Sequence, residues 1–170
     1  EEVNIPLDSK VKIQTDWQLQ RYAQFIKLMD QYEPKLVVID SLIGCSGGRA
    51  FDENKSDFAQ PLYWLTRNNG VLFPKTTILI IHHANKNGGF RGTSAIRDAV
   101  DETWKLSKPT QEQANKVGRS SRFITIEKSR SGRMGTQMIM KMKEDLTFSI
   151  EDFTPEVSND PSSPTTVQDR

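Results

Sequence analysis

Four short stretches of the sequence hold side chains able to act on phosphate. Asp40 and Ser41 close the run Leu36-Val37-Val38-Ile39-Asp40-Ser41. A carboxylate at such an end can hold a hydrated Mg²⁺, directly or through water, beside a nucleotide phosphate. It can equally cap the turn that follows. His82 and His83 close a second apolar run. Consecutive strand residues point to opposite faces, so one imidazole could hydrogen-bond a phosphate while the other packs below; a structural His pair is the competing explanation. Asp40, Asp98 and Asp101 could add carboxylates to a metal site, but no His-x-x-x-His or Cys spacing points to zinc.

The third stretch, Gly88-Gly89-Phe90-Arg91-Gly92-Thr93-Ser94, is rich in glycine and cationic. Its backbone N–H groups could cradle phosphates. Alternatively Lys86 and Arg91 could touch a nucleic-acid backbone, with Phe90 stacked on a base, or the stretch is an ordinary mobile loop. The fourth, Lys128-Ser129-Arg130-Ser131-Gly132-Arg133, places three cations on a turn. Lys128 and Arg130 are two apart and could reach one polyphosphate together, the ammonium and the planar guanidinium suiting different oxygens. A solvated turn is the plainer fate of exposed Lys and Arg. Absent motifs bound the chemistry. No Gly-x-x-x-x-Gly-Lys-[Ser/Thr] occurs; Gly44-Cys45-Ser46-Gly47-Gly48-Arg49 lacks the Lys-Ser/Thr end. There is no Gly-x-Ser-x-Gly elbow and no cysteine-nucleophile motif.

The elements that must position these residues follow from periodicity. Leu19, Tyr22, Ala23, Ile26 and Met29 recur at the helical period, which predicts a helix over 16–31, capped by Asp16 and ended by Glu33-Pro34. The continuous apolar run 35–40 reads as a strand buried on both faces, followed by a Gly- and Ser-rich loop to about Ser56. A helix is expected over 57–68, with Pro61 tolerated near its first turn. Asn69-Gly70 reads as a turn, and 76–81 as a second buried strand. Residues 94–100 suit a short helix, 103–106 and 122–127 strands, and 108–118 a polar, mobile connection. The stretch 129–135 reads as a turn, and 137–142 with 147–150 as a closing hairpin. From Thr154 on, Pro, Ser, Thr and Asp dominate, which predicts a disordered tail over 154–170. Strand, helix, strand implies parallel pairing with a helical crossover. The expected fold is therefore an α/β core, mostly parallel, with an antiparallel extension at the C-terminal side. Ligands of such sheets bind beyond the carboxyl ends of the strands, where Asp40, His82, His83 and Lys128 all fall.

Composition agrees with one domain. The chain has 170 residues with 23 Lys and Arg against 22 Asp and Glu, a net charge of +1. That balance argues against a polybasic coat while leaving room for a local basic patch. The length suffices to bury roughly 70% of the unfolded surface. No stretch nears the ~18 apolar residues of a membrane helix, and no signal peptide opens the chain. The single Cys45 excludes an internal disulfide framework and fits a reducing cytosol, so a cytoplasmic location is expected. A first residue of Glu1 rather than Met fits a processed fragment or an excised domain.

In order and spacing, the motifs resemble the RecA-like ATPase core of ring helicases, above all the DnaB-like and RepA-like replicative helicases and related primase-helicase proteins. The resemblance covers about Leu36 to Phe153, so a partial RecA-like domain is expected over 1–153 with its opening elements missing. Leu36-Val37-Val38-Ile39-Asp40-Ser41 resembles the Walker B strand. Ile80-Ile81-His82-His83-Ala84-Asn85-Lys86 is similar to the strand that ends in the family's phosphate sensor, where RepA-like members carry His. Arg91-Gly92-Thr93-Ser94-Ala95-Ile96-Arg97-Asp98-Ala99-Val100-Asp101 resembles the segment after the DNA-facing loop. Glu127-Lys128-Ser129-Arg130-Ser131-Gly132 resembles the Lys-x-Arg-x-Gly turn of a trans-acting arginine finger.

The resemblance implies ATP hydrolysis with Mg²⁺, coupled to travel along single-stranded DNA in a ring of identical subunits, hexameric in the family. A fused or associated primase is a further possible partner. Asp40, with Ser41, would help hold Mg²⁺ and nucleotide. His83, or else His82, would sense the γ-phosphate. Lys128 and Arg130 would reach a neighbouring subunit's nucleotide. Lys86, Phe90 and Arg91 on one loop, and Arg49 and Lys55 on another, would lie beside DNA. The family's P-loop and upstream catalytic Glu are missing from this sequence. That departure implies negligible ATPase from this chain alone, as a piece of a larger helicase motor or as an inactive binding module. A metal-dependent hydrolase using Asp40 and the His pair is the third reading.

Overall fold

The structure, a computed structural model, describes residues 11–47, 52–145 and 147–153. The chain divides into two compact units, 1–102 and 103–170. Arg49 and the expected 154–170 tail lie outside the described residues.

In the first unit, α1 (Tyr22–Tyr32) leads to β1 (Leu36–Asp40), and α2 (Gln60–Leu72) follows a 3-10 turn (Ser56–Ala59). Next come β2 (Thr77–Ile81) and α3 (Ser94–Asp98). Strands β1 and β2 pair in parallel with α2 between them in sequence, the crossover such pairing needs. The core gathers Phe25 and Met29 of α1, Ile39 of β1, and Leu62 and Leu65 of α2. Leu19, Leu42, Phe58, Phe73, Ile96 and Ala99 complete it. Phe25 meets Phe73 and Trp64 edge-on at 5.6 and 6.4 Å, a favoured aromatic geometry.

The second unit holds β3 (Glu102–Ser107, beginning one residue before the division), α4 (Gln111–Val117), β4 (Arg122–Ser129), β5 (Gln137–Met142) and β6 (Phe148–Asp152). The four strands form one sheet in sequence order, with β4–β5 and β5–β6 antiparallel. Phe123, Ile124, Ile126 and Ile139 are buried, and Phe153 meets Phe123 edge-on at 4.9 Å.

Several expectations need correction. The fold is α/β, but the described sheets are not mostly parallel: only β1 and β2 pair in parallel, and four strands form a separate sheet. The reason is local, since β4, β5 and β6 are joined by short turns that only antiparallel neighbours allow. Strand β1 is not buried on both faces. Val37 and Ile39 turn toward the core, while Leu36 and Val38 stay 54% and 50% exposed; Leu79 and Ile81 of β2 do likewise at 47% and 37%. A run of apolar residues cannot by itself tell a strand covered on two faces from one covered on one. Residues 108–118 are not a formless connection. Thr110 accepts from the Gln113 backbone while the Gln113 side chain accepts from the Thr110 N–H, a capping box that starts α4. Asn69 and Gly70 lie inside the last turn of α2, not in a turn. Helix α1 begins at Tyr22 and takes no cap from Asp16, whose backbone carbonyl instead accepts from Arg21. Its C-terminal end is as expected: Glu33 adopts a left-handed conformation (φ 41°) before Pro34.

Leu62 is 1% exposed, so Leu62→Ala should lower unfolding free energy by about 2–5 kcal/mol. Thr110→Ala should cost about 0.5–2 kcal/mol through the lost cap. Urea unfolding followed by circular dichroism checks both; a Leu62→Ala midpoint equal to wild type would contradict the assigned core.

Candidate functional site

Strand register brings the acidic and imidazole residues to one edge. Leu36 stands opposite Thr77, and the ladder ends with Asp40 opposite Ile81. Bonds outside the ladder lock both ends: Thr77 N donates to Lys35 O (2.9 Å), Thr76 Oγ1 to Pro34 O (2.7 Å), and Leu42 N to Ile81 O (2.8 Å). Asp40 is exposed at the carboxyl end of β1, and its peptide bond to Ser41 is cis. Beyond it the chain folds tightly: Cys45 N donates to Ser41 O (2.9 Å), and Gly44 N to Ser41 Oγ (3.3 Å). Burial raises the Cys45 thiol pKa, and the charge of Asp40 raises it further.

The two histidines leave β2 in different environments. His82 is half-buried, with its ring 5.4 Å from that of Phe90. Its Nε2 lies 2.7 Å from Arg91 O. A carbonyl only accepts, so Nε2 carries the proton, and the buried Nδ1 has no partner. His83 is exposed.

The loop over 85–92 is internally bonded, which engages the Gly88 and Gly89 N–H groups that a phosphate cradle would use. Asn85 Oδ1 accepts from Asn87 N (3.0 Å) and Gly89 N (2.9 Å), and Asn85 Nδ2 donates to Phe90 O (3.1 Å). The N–H groups of Asn85 and Gly88 reach Gly89 O and Asn85 O, both at 2.9 Å. Those four donors are therefore committed. Phe90 is partly buried and packs against the core, with His82 on one side and the Arg97 guanidinium 5.6 Å from its ring centre. Lys86 is exposed. Arg91 donates through Nε to Glu53 Oε1. Glu53 was not legible as a site residue, because nothing in a polar loop marks an acid that pairs 38 positions away. Asn85 did carry a signal, an Asn before glycines that can bond its own backbone.

The cationic turn belongs to the second unit. Lys128 is half-buried near the end of β4, and Arg130 is exposed just beyond it. Ser129 Oγ and Ser131 Oγ are 2.8 Å apart, Ser131 N donates to Ser129 Oγ (3.2 Å), and Arg133 Nε to Ser131 Oγ (3.4 Å). This bonding shapes the turn that carries Arg130. Asp40 and Ser41 offer a carboxylate and a hydroxyl at a strand end, a donor pair that fits a hydrated Mg²⁺ shared with phosphate. Among the described residues no three His, Cys, Asp or Glu side chains group as a metal site. The remaining ligands of such an ion would then be water and phosphate oxygens. No helix of the described residues is long and apolar enough to cross a membrane.

Cys45 gives a direct probe of this edge. Asp40→Asn removes the charge that raises the thiol pKa, so the thiolate fraction at pH 8 should rise. Alkylation should then quicken, without reaching the rate of a fully exposed thiol because burial is the larger cause. An unchanged or slower rate would contradict the stated proximity.

No family model matches the chain, and no curated protein matches it either. Among solved structures, a KaiC-like protein from the hyperthermophilic archaeon Pyrococcus horikoshii is similar with a TM-score of 0.51 at 14% identity. The match covers 80% of this chain and 57% of that one. This chain thus spans little more than half the length of that protein. At such identity the likeness is one of fold: the chain is an α/β protein, and its short parallel pair and four-stranded sheet match the fold of that KaiC-like protein in part.

Proposed function

We propose that this chain is the C-terminal part of a DnaB- or RepA-like replicative helicase motor, in which ATP hydrolysis between subunits drives travel along single-stranded DNA. One observation carries the reading. The acid-ended strand β1 lies in parallel register with a strand that runs into His82-His83, so Asp40 and the histidines share the carboxyl edge of one sheet. A RecA-like neighbour fold supports it. So does the outward apolar face of the β1–β2 pair, because parallel sheets are ordinarily covered on both faces.

In this reading ATP·Mg²⁺ supplies the phosphoryl group, and the ion neutralises charge on the β- and γ-phosphates. Asp40, with Ser41, orients the ion's water shell. His83 is the histidine left exposed to donate to the γ-phosphate, since His82 spends Nε2 on Arg91. Lys128 and Arg130 stabilise developing charge on the nucleotide of a neighbouring identical subunit, in a hexameric ring. Lys86 faces DNA phosphates, and a fused or associated primase fits the same assembly. The absence of Gly-x-x-x-x-Gly-Lys-[Ser/Thr] favours a second reading, an inactive RecA-like module that binds DNA or a partner.

The purified chain with ATP and Mg²⁺ should show no turnover above background; robust turnover would refute the motor-fragment reading. In a longer, assembled protein, Arg130→Ala should cut turnover about 10³-fold or more. Mixing Arg130→Ala subunits with Asp40→Asn subunits should restore part of it, because some interfaces then pair an intact finger with an intact pocket. No recovery would contradict a finger acting across the interface. DNA binding without turnover in the complete assembly would select the inactive module.

A further inference from the structure

We infer that Glu53 is a positioning residue: its carboxylate clasps Arg91 and fastens the 85–92 loop, so that Arg91 serves as a strut and not as a nucleic-acid contact. The consequence for DNA rests on the reading above, in which this loop faces single-stranded DNA. The clasp itself does not.

Three contacts converge on residues 91–93. Arg91 Nε donates to Glu53 Oε1, Thr93 N donates to Glu53 O (2.8 Å), and His82 Nε2 donates to Arg91 O (2.7 Å). Gly92 lies between them at φ +86°, where a Cβ would stand 2.8 Å from Glu53 O. Only glycine fits that approach without strain. The burial is unequal: the Glu53 side chain is 12% exposed and that of Arg91 46%. Glu53 Oε2 is buried without a partner, so the ion pair is the main compensation for a carboxylate withdrawn from water.

This inequality sets the sign of each substitution. Removing Arg91 strands a nearly buried charge, which is costly. Removing the charge of Glu53 leaves Arg91 half in water, where it is solvated. The opposite side of the loop is closed by the Asn85 side chain. Lys86 therefore sits on a loop held at both ends, with its position fixed by contacts that involve no ligand.

The test uses the 170-residue chain, with Lys86→Ala, Arg91→Ala, Arg91→Lys and Glu53→Gln variants. One arm measures anisotropy of a labelled oligo-dT against salt. The other measures trypsin cleavage after Lys86 by mass spectrometry. Lys86→Ala should flatten the logarithmic salt slope by about 0.7, one phosphate contact on a single strand. Glu53→Gln and both Arg91 variants should keep the slope, weaken binding severalfold, and speed cleavage after Lys86 severalfold, with Arg91→Ala the fastest. Unchanged cleavage in Glu53→Gln would overturn the clasp. So would an Arg91→Ala slope as flat as that of Lys86→Ala with Glu53→Gln silent. If the wild-type chain fails to bind oligo-dT, the DNA-facing reading falls, and the cleavage rates still decide the clasp.

Discussion

The parallel register of β1 on β2 is the constraint from which the rest of the candidate site follows. A strand's side chains alternate, so a slip of one residue would exchange its two faces. In the register present, Val37, Ile39, Ile78 and Ile80 turn toward the core and Asp40 turns out beside Ile81. Slipped by one, Asp40 would be driven toward Phe25 and Leu62, an unpaired charge in an apolar core, which costs several kcal/mol. The register is held at its start by Thr76 and Thr77, bonding Pro34 and Lys35, and at its end by Leu42 bonding Ile81. The tight turn after Asp40 and the closed loop after His82 then depart from neighbouring points.

Between those departures the chain builds a hydrogen-bonded knot. Asn85 closes one side of the loop after β2, and Glu53 closes the other through Arg91 and Thr93. The same contacts account for the different fates of two adjacent histidines. His82 is drawn under the loop by Phe90 and the Arg91 carbonyl, and His83 stays in solvent. Only the His83 ring is left exposed.

Much of this was legible in the sequence, and the failures have physical causes. The runs at 35–40 and 76–81 named both parallel strands within a residue, and Glu33-Pro34 named the end of α1. The stretches 137–142 and 147–150, read as a closing hairpin, pair as antiparallel β5 and β6. The sequence could not show that one face of β1 and β2 is open, because burial depends on what packs from elsewhere in the chain. It did hold the start of α4 in Thr110-x-x-Gln113, a capping signal outweighed by the polarity of the stretch. Asn69-Gly70 misled in the opposite direction, since helix packing overrode a local turn preference. The place of Asp40 at the carboxyl end of β1 could be read from type and position. The pairing of Arg91 with Glu53 could not, because it joins loops distant in sequence and only the fold brings them together.

The central claim is that Asp40 and His83 form one half of a nucleotide site and Arg130 forms half of another, shared between subunits. The most direct measurement is an experimental structure of the assembled protein with Mg²⁺ and a non-hydrolysable ATP analogue. The account predicts the ion's water shell on Asp40, His83 within hydrogen-bond reach of the γ-phosphate, and a neighbouring subunit's Arg130 on the same phosphate. A nucleotide bound away from the β1–β2 edge, or Arg130 facing solvent far from every phosphate, would contradict it.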